Sequence, residues 1–507
     1  MSKLVLPKAT TEVRETATPV AGEIFYDQDK QAVFFGDGAT MGGISLKAGS
    51  MSTAYVYGID HDTSVATAAT ACKRVLLNHD HDQMGDVLRY TQVTEFAQMP
   101  AHNFKRCVMS DLANRVVAYY LNASDSTKKE NGQTAILTGA DGDVMVEIPV
   151  CHFRLDTYTD ASNHVHNVYL VSNRAFNGSA IHRYFYTSPG GATARVQYVG
   201  AFRAILCNSN GTPKAQTSED NPASYVTGDC FRSIIGERPH GNGTREKYRI
   251  GSSVNGGTNI NGMFGQFLTL MMAIDVCSFD FQTKISRGYA DLSVWKYAAL
   301  RKTGRTVVFG NGTGEILADE TAGTGLDIDL LTMDNGQSIW HSSATSKVVQ
   351  FSYRGIEDPF GSQWCIEDGC QKNQDSNADD YDGSGFWCTN DTTKYNLCDT
   401  DMGSGNPDGS FPAVGYTGAG YVWVSVPFPK KNGYVKDFDP ITFLCTSIGG
   451  SSTTYLPDYF NNVATAGGCI FCRGGYLSLA SQVGLGGVTV QYATTHAYGS
   501  IGCRIAA

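Results

Sequence analysis

The sequence has no long hydrophobic run and no basic run, and each absence excludes a class of protein. Its longest apolar stretch, Phe264–Cys277, is interrupted by Gln266 and Asp275 and is too short to span a bilayer, so we expect no membrane insertion. The N-terminus lacks the apolar core of a signal peptide, so we expect synthesis in a cytoplasm without signal-directed export. The net charge is −10 and no run of Lys or Arg exceeds two residues, which excludes nucleic acid as a partner because such binding needs a basic surface.

The sequence also lacks the short motifs of common catalytic sites: it has no G-x-S-x-G, no H-E-x-x-H and no P-loop. Cleavage of a glycan by two carboxylates stays open, since such pairs are recognised by their separation in space. The 14 cysteines are scattered, and Cys469-x-x-Cys472 has no second pair at metal-binding spacing, so zinc is not expected. We expect most thiols to be buried as small hydrophobes, with disulfides open for neighbours such as Cys365 and Cys370 after release from a reducing cytosol. An enzyme is not the expected function.

Glycine, aromatic residues and turn formers are abundant: the 507 residues include 56 Gly, 26 Tyr and 24 Phe. This composition predicts a β-rich α+β chain with many turns and little helix. The one long helix that we predict is Phe264–Cys277, where large apolar side chains recur along one helical stripe.

Residues 1–50 have the pattern of a separate small module. Short β-prone runs at Ile24–Asp27, Ala32–Phe35 and Gly42–Leu46 are separated by Gly and Asp turns, which predicts a β meander or a prism-like unit. A unit of this size buries too little apolar surface to be stable alone, so we expect it to trimerise or to dock. The pattern resembles the N-terminal repeat of phage tail fibres and tail-tip adhesins. That resemblance implies a homotrimer attached to other tail or baseplate proteins of a virion.

Residues 468–505 form a C-terminal segment in which two short β-prone pieces flank glycines, small residues and tyrosines. Leu479, Val483 and Leu485 give it too little apolar mass for a core, so we predict an irregular loop between two strands. Tyrosine provides a large rigid contact face, and Ser and Gly provide adaptable polar contact, as in recognition loops. The same composition is equally typical of a β edge with satisfied tyrosines. The candidate receptor-binding residues are Tyr476, Ser478, Ser481, Gln482, Gln491, Tyr492, Thr494, His496 and Tyr498.

Two stretches resemble the C-type-lectin-like fold, in the version found in formylglycine-generating enzymes and in the receptor-binding protein of a Bordetella phage. Residues 350–369 are similar to its Y-R-G-(I/L)-E-N…W-E-x-x-D-G core motif, and residues 474–475 with 501–504 are similar to its closing G-G…(I/L)-G-F-R signature. The resemblance implies a lectin-like domain whose receptor-contacting face lies between the closing landmarks. The landmark residues are Gly355, Glu357, Gly361, Trp364, Asp368, Gly474, Gly475, Gly502 and Arg504.

The chain departs from that family at several positions. Cys503 stands where the closing signature has phenylalanine, and Gln363 and Cys365 replace the usual residues beside the core tryptophan. The cysteine pair that follows the double glycine in formylglycine-generating enzymes is missing, which again argues against catalysis.

An acidic, Gly-rich stretch at residues 375–408 offers hard oxygen ligands of the kind that Ca²⁺ prefers. The candidate ligands are Asp379, Asp380 and Asp382, although the spacing of an EF-hand is absent. The alternative is a solvated acidic loop, and no other cofactor is expected.

These observations predict a small N-terminal β meander or prism module at 1–50, followed by a large C-type-lectin-like domain with insertions. Its parts are a first lectin-like region at 51–205, insertions with the core helix at 206–345, and a lectin-like core with the terminal loop at 346–507. The function that these resemblances imply is a phage tail fibre or tail-tip adhesin in the virion tail that binds a host-surface glycan or protein. The alternative is a structural fibre or decoration protein that binds another virion subunit.

Overall fold

The computed structural model describes residues 56–77, 100–186, 192–215, 222–288, 351–374, 431–462 and 467–507, a few single positions between them, and elsewhere the backbone of the strands named below. The chain divides into two compact units, residues 1–56 with 77–86 and residues 57–76 with 87–507. In the first unit four strands form one sheet in sequence order, with β1 parallel to β2 and the others antiparallel. They are β1 (Lys8–Ala9), β2 (Ile24–Asp27), β3 (Ala32–Phe35) and β4 (Ile44–Leu46). The runs expected at residues 24–27 and 32–35 are therefore strands.

The strands that follow are mostly short and antiparallel. Before the long helix at Gly262–Val276, the strands are β5 (Val56–Asp62), β6 (Cys72–Leu77), β7 (Arg89–Tyr90), β8 (Lys105–Asp111), β9 (Val116–Tyr120), β10 (Asp143–Pro149), β11 (His152–Thr159), β12 (Val165–Ser172), β13 (Ala180–Ile181), β14 (Val196–Gly200), β15 (Ile205–Cys207), β16 (Cys230–Arg232) and β17 (Thr258–Asn259). Beyond it they are β18 (Glu315–Ala318), β19 (Ile328–Thr332), β20 (Ser338–Ser342), β21 (Val349–Tyr353), β22 (Ile356–Glu357), β23 (Trp364–Gln374), β24 (Gly385–Cys388), β25 (Gly433–Phe438), β26 (Cys445–Ile448), β27 (Tyr459–Asn461), β28 (Gly467–Gly474), β29 (Gly484–Thr489), β30 (Ile501–Gly502) and β31 (Ile505–Ala506).

Three large sheets organise these strands. Two have six strands, in the orders β17-β31-β14-β10-β8-β9 and β13-β11-β12-β5-β6-β7, and the third has eight, in the order β24-β23-β28-β29-β27-β25-β26 with β30 parallel to β23. Smaller sheets are β15-β16, β18-β21-β22 and β19-β20. In the part of the chain that the structure describes, the helices are α1 (Ala68–Ala71), α2 (Arg245–Ser253), α3 (Gly262–Val276) and α4 (Phe281–Lys284), with 3₁₀ turns at Pro100–His102, Arg183–Phe185 and Ala480–Gln482. The prediction of a β-rich chain with few helices is confirmed.

Helix α3 is the predicted long helix, and it is buried on all sides rather than along one stripe. The side chain of Asn261 caps the first turn of the helix by accepting hydrogen bonds from the N–H groups of Met263 and Phe264. The helix ends where Cys277 takes a left-handed φ of 53°. Its buried Asp275 is paired with Arg354 at 2.7 Å. A helix packed all round needs such a partner for each buried charge, since an unpaired one would be strongly destabilising. No helix within the described residues is long and apolar enough to cross a membrane.

The last residues of the chain connect two of the sheets. Strand β30 pairs with β23 of the eight-stranded sheet, whereas β31 pairs with β14 and β17 of a six-stranded sheet. Between the sheets lies an apolar core that includes Trp364, Ile470, Ile501 and Cys503. Part of the stretch 206–345, which was expected to hold insertions and the core helix, contributes to this same core. Its buried contributors are Leu206, Ala223, Phe231 and Tyr248.

Candidate functional site

The turn before β23 depends on Gly361, one of the landmark glycines. Gly361 has a φ of +95°, and a Cβ placed there would lie 2.2 Å from the carbonyl oxygen of Arg287, so only glycine fits. The turn aims the following strand so that Trp364, only 1% exposed, enters the core between the sheets. Three other landmark glycines, Gly355, Gly474 and Gly475, have positive φ. At Gly502 a Cβ would clash with the side chain of Gln363.

The charged landmarks are buried, and each is hydrogen-bonded across the fold. Glu357 accepts the N–H of Gly304 and the N–H of Thr306 at 3.0 and 2.9 Å, and Asp368 pairs with Arg249 at 2.7 Å. The guanidinium of Arg504 donates to the carbonyl oxygens of residues 200, 201, 357 and 358. Burial lowers the pKa of Arg504 to about 10, and the positive charge of Arg203 contributes to the shift. These contacts fix the terminal strands rigidly to the body of the domain.

The middle of the C-terminal segment is a buried strand, which corrects the expectation of an irregular loop held out from the body. Every residue of β29 is buried, and the side chains of Val483 and Leu485 are at most 1% exposed. The physical reason is a long-range partner: the buried carboxyl group of Asp458 accepts the N–H of Gly486 at 2.7 Å. A Cβ at Gly484 would lie 2.1 Å from an oxygen of that carboxyl group, so glycine lets the strand approach it closely.

Strand β29 divides the candidate residues into two groups. The first group, Tyr476, Ser478, Ser481 and Gln482, is half-buried. The hydroxyl of Ser481 is hydrogen-bonded to the hydroxyl of Tyr434 at 2.9 Å, and its carbonyl oxygen accepts the amide of Gln282 at 3.2 Å. Among the hydrogen bonds and ring contacts of the described residues, none joins Ser478, Ser481 or Gln482 to the second group.

The second group forms an aromatic stack, defined here as Tyr492, His496 and Tyr498. The imidazole of His496 lies 4.5 Å from the ring of Tyr492 at an interplanar angle of 12°, and 6.0 Å from the ring of Tyr498 at 26°. Tyr498, at the outer end, is 50% exposed, which is unusual for a large aromatic side chain here. Gln491 and Thr494, both half-buried, lie in the same loop. The result is a three-ring surface with an exposed end.

Tyr476 extends this surface toward the core. Its ring lies 6.3 Å from that of Trp364, and both Tyr476 and Tyr492 pack against the core between the sheets. The structure therefore brings Tyr476 and the aromatic stack to the same part of the core, although the two halves are separated in the chain by β29.

Main-chain hydrogen bonds hold the loop of the aromatic stack at both ends. The carbonyl oxygen of Tyr492 accepts the N–H of Ile470 at 2.8 Å, and that of Tyr498 accepts the N–H of Asn242 at 2.9 Å. The side-chain amide of Gln363 donates to the carbonyl oxygen of Gly499 at 2.9 Å. Asn242 and Gln363 were not among the candidate residues, because a contact across more than a hundred residues leaves no local pattern. The Gly241-Asn242-Gly243 run indicates only a turn.

The aromatic stack is electrically neutral. Burial raises the pKa of the Tyr492 hydroxyl, and burial lowers the pKa of His496 below its ordinary 6.5, so neither carries a charge near pH 7. The Nε2 atom of His496 is buried and has no hydrogen-bond partner among the described residues. Stacking between two tyrosines is therefore what positions this imidazole. Such a surface suits contact with apolar or aromatic groups and with the C–H faces of a partner.

The described residues contain no group of three or more His, Cys, Asp or Glu side chains arranged to hold a metal ion. The calcium candidates Asp379, Asp380 and Asp382 lie outside the residues that the structure describes. Cys469 and Cys472 are buried in β28.

No protein-family model and no curated protein matches the chain. It is similar to solved structures of the Major Tropism Determinant of a Bordetella phage. The P3c variant aligns over 99% of this chain and 98% of its own at 13% identity and a TM-score of 0.23. The U1 and I1 variants align over the same shares at 14% and 12% identity, each with a TM-score of 0.22. TM-scores of this size do not establish a shared fold, so a functional assignment has to come from the residues of this chain.

Proposed function

We propose that this protein is a phage receptor-binding adhesin that contacts a host-cell surface receptor through the aromatic stack and the polar residues beside it. The observation that carries the proposal is the half-exposed, neutral stack of Tyr492, His496 and Tyr498 on a loop fixed by hydrogen bonds at both ends. Rigid aromatic side chains lose little conformational entropy on binding and are enriched among the residues that dominate interface energies. The body of the domain is a lectin-like scaffold in this proposal, and the chain has no catalytic role.

The N-terminal sheet is the part that attaches the protein to the virion tail. Its pattern resembles the virion-proximal repeat of tail fibres, and its four strands form one sheet in sequence order. Three copies joined there would present three aromatic stacks to one cell. Multivalent contact of this kind raises the overall affinity by about 10²–10⁴ without any new contact at the individual site.

The test is binding of the purified full-length protein to host cells, with Tyr492→Ala and Tyr498→Ala compared with wild type. If each tyrosine is a dominant contact and contributes about 2 kcal/mol, the single-site dissociation constant rises roughly 30-fold. The matched control is Ile136→Ala, because Ile136 is also exposed, at 43%, but adjoins Tyr119 rather than the aromatic stack. The control should bind as wild type does.

Two results would contradict the proposal. If both tyrosine variants keep their oligomeric state and bind cells as well as wild type, the aromatic stack is not the contact surface. If the wild-type protein binds a purified virion subunit but no host cell or cell-surface extract, the protein is a structural component of the particle.

A further inference from the structure

Cys207 and Cys230 lie directly opposite each other in the two-stranded sheet formed by β15 and β16. The register of this antiparallel pair places residues 205, 206 and 207 against 232, 231 and 230. Opposed residues in antiparallel strands have Cα atoms about 4.5–5.5 Å apart, which falls within the range that a disulfide spans. The thiol of Cys230 donates a hydrogen bond to the carbonyl oxygen of Asn208 at 3.4 Å. The register of the two strands is therefore compatible with a covalent bond between these cysteines.

The two thiols differ in acidity in a way that suits disulfide exchange. The neighbouring thiol of Cys207 lowers the pKa of Cys230 to about 7, with further lowering by Asn255 and Arg232 and against the effect of burial. The proximity of Cys230, together with burial, raises the pKa of Cys207. By contrast, burial raises the pKa of the isolated thiols of Cys107 and Cys151. Near neutral pH Cys230 is thus the better nucleophile of the pair.

We propose that Cys207 and Cys230 form an intrachain disulfide after the protein leaves a reducing cytoplasm. The oxidant is a small-molecule disulfide of the glutathione class. The thiolate of Cys230 attacks one sulfur of that disulfide and releases one small thiolate, which takes up a proton. Cys207 then loses its proton and attacks the Cys230 sulfur of the mixed disulfide, which releases the second small thiol. The chain loses two protons and two electrons, and the small disulfide gains them as two thiols.

The bond would hold a segment on which the central core depends. Ile205, Cys207, Cys230 and Ile234 form a small apolar cluster of their own. The residues next to the two cysteines, Leu206 and Phe231, point instead into the core against which Tyr476 and Tyr492 pack. A disulfide would close a loop of roughly two dozen residues and restrict the unfolded chain accordingly. This inference does not depend on what the aromatic stack binds.

The experiment compares the full-length protein before and after incubation with oxidised glutathione, followed by alkylation with a maleimide, intact-mass measurement and peptide mapping. We expect two fewer alkylated thiols and a cross-linked peptide that joins Cys207 to Cys230. We also expect the unfolding temperature of the oxidised protein to be about 2–5 °C higher than that of the reduced protein. Both thiols are buried, so oxidation should proceed through local opening of the short sheet and speed up with temperature.

Two variants separate this bond from general thiol oxidation. Cys207→Ser should leave Cys230 as a mixed disulfide with glutathione and abolish both the cross-link and the rise in unfolding temperature. Cys151→Ser removes a buried thiol elsewhere and should retain both. The proposal is overturned if the wild-type peptide map shows no 207–230 cross-link after oxidation, or shows a different pair, such as Cys365 with Cys472. That map decides the question even if a variant fails to fold.

Discussion

The buried carboxyl group of Asp458 gives the terminal segment a pH dependence that can be measured. Asp458 is fully buried, and its oxygens accept the amide of Gln282 at 3.0 Å and the N–H of Gly486 at 2.7 Å; among the described residues no cationic side chain is paired with it. Burial raises the pKa of this carboxyl from 3.8 to about 7. The perturbation that we propose is Asp458→Asn, whose amide oxygen can still accept the N–H of Gly486 and which stays neutral at every pH.

The sign of the effect follows from where the proton is bound. Between pH 4 and pH 7 the carboxyl keeps its proton in the folded protein and loses it in the unfolded chain. The folded state therefore binds more protons, and the contribution of Asp458 to the free energy of unfolding falls as the pH rises. The difference of about 3 pKa units between the unfolded and the folded protein corresponds to roughly 4 kcal/mol of stability, and this stability is fully lost above pH 7. Relative to wild type, Asp458→Asn should gain stability by roughly that amount between pH 4 and pH 7.5.

The assay is chemical denaturation of both proteins at a series of pH values, with the difference in free energy of unfolding plotted against pH. The control is Asp111→Asn. Asp111 lies on the surface, and hydrogen bonds from the side chain and backbone of Asn114 lower its pKa. Its contribution to stability is lost only as the pH falls below about 4, so its difference curve should be flat from pH 4.5 to pH 7.5. A flat curve for Asp458→Asn in that same window would refute the assignment of a raised pKa to this carboxyl.

Three further changes test the scaffold through the free energy of unfolding. Gly484→Ala should destabilise the protein by about 2–4 kcal/mol, because it brings a methyl group within 2.1 Å of the buried carboxyl group of Asp458 at a φ of +132°. The control is Gly132→Ala, also at positive φ but in open space, which should lower the free energy of unfolding by only about 1 kcal/mol. Arg473→Met leaves Glu367 buried without its partner and should destabilise by about 3–5 kcal/mol, and adding Glu367→Gln should recover part of that loss. Trp364→Ala opens a cavity in the core and should destabilise by about 3–5 kcal/mol; a loss below 1 kcal/mol would show that the core does not depend on it.

The sequence was sufficient for the features that depend on neighbouring residues. The strands at 24–27 and 32–35, the helix near 264–277 and the β-rich class all follow from local periodicity and turn residues. The all-round burial of that helix could not be predicted, because it depends on Asp275 finding Arg354 nearly eighty residues away. For the same reason part of the stretch 206–345 had the composition of an insertion, although Phe231 and Tyr248 belong to the core.

At the candidate site, too, some features could be predicted from neighbouring residues and others depend on contacts between distant residues. Tyr492, His496 and Tyr498 could be selected from composition, since tyrosine and histidine among small residues are typical of a contact loop. Ser481 could not be separated from them, because only the fold shows that it faces Tyr434 instead. The prediction of a loop between the two groups is wrong because glycine normally indicates a turn, whereas Gly484 is needed here for the close approach of the strand to Asp458.

The stacking of His496 between two tyrosines affects how much entropy this surface would lose on binding a partner. A flexible loop must be ordered when it binds, at about 0.5–1.5 kcal/mol for each immobilised side chain. In this loop the rings are already stacked and the carbonyl groups of Tyr492 and Tyr498 already accept hydrogen bonds from the body of the domain. Much of that ordering is therefore completed during folding. A partner of the stack would gain contact energy with little entropic loss, and the hydrogen bonds that hold the loop become a determinant of affinity as well as of the fold.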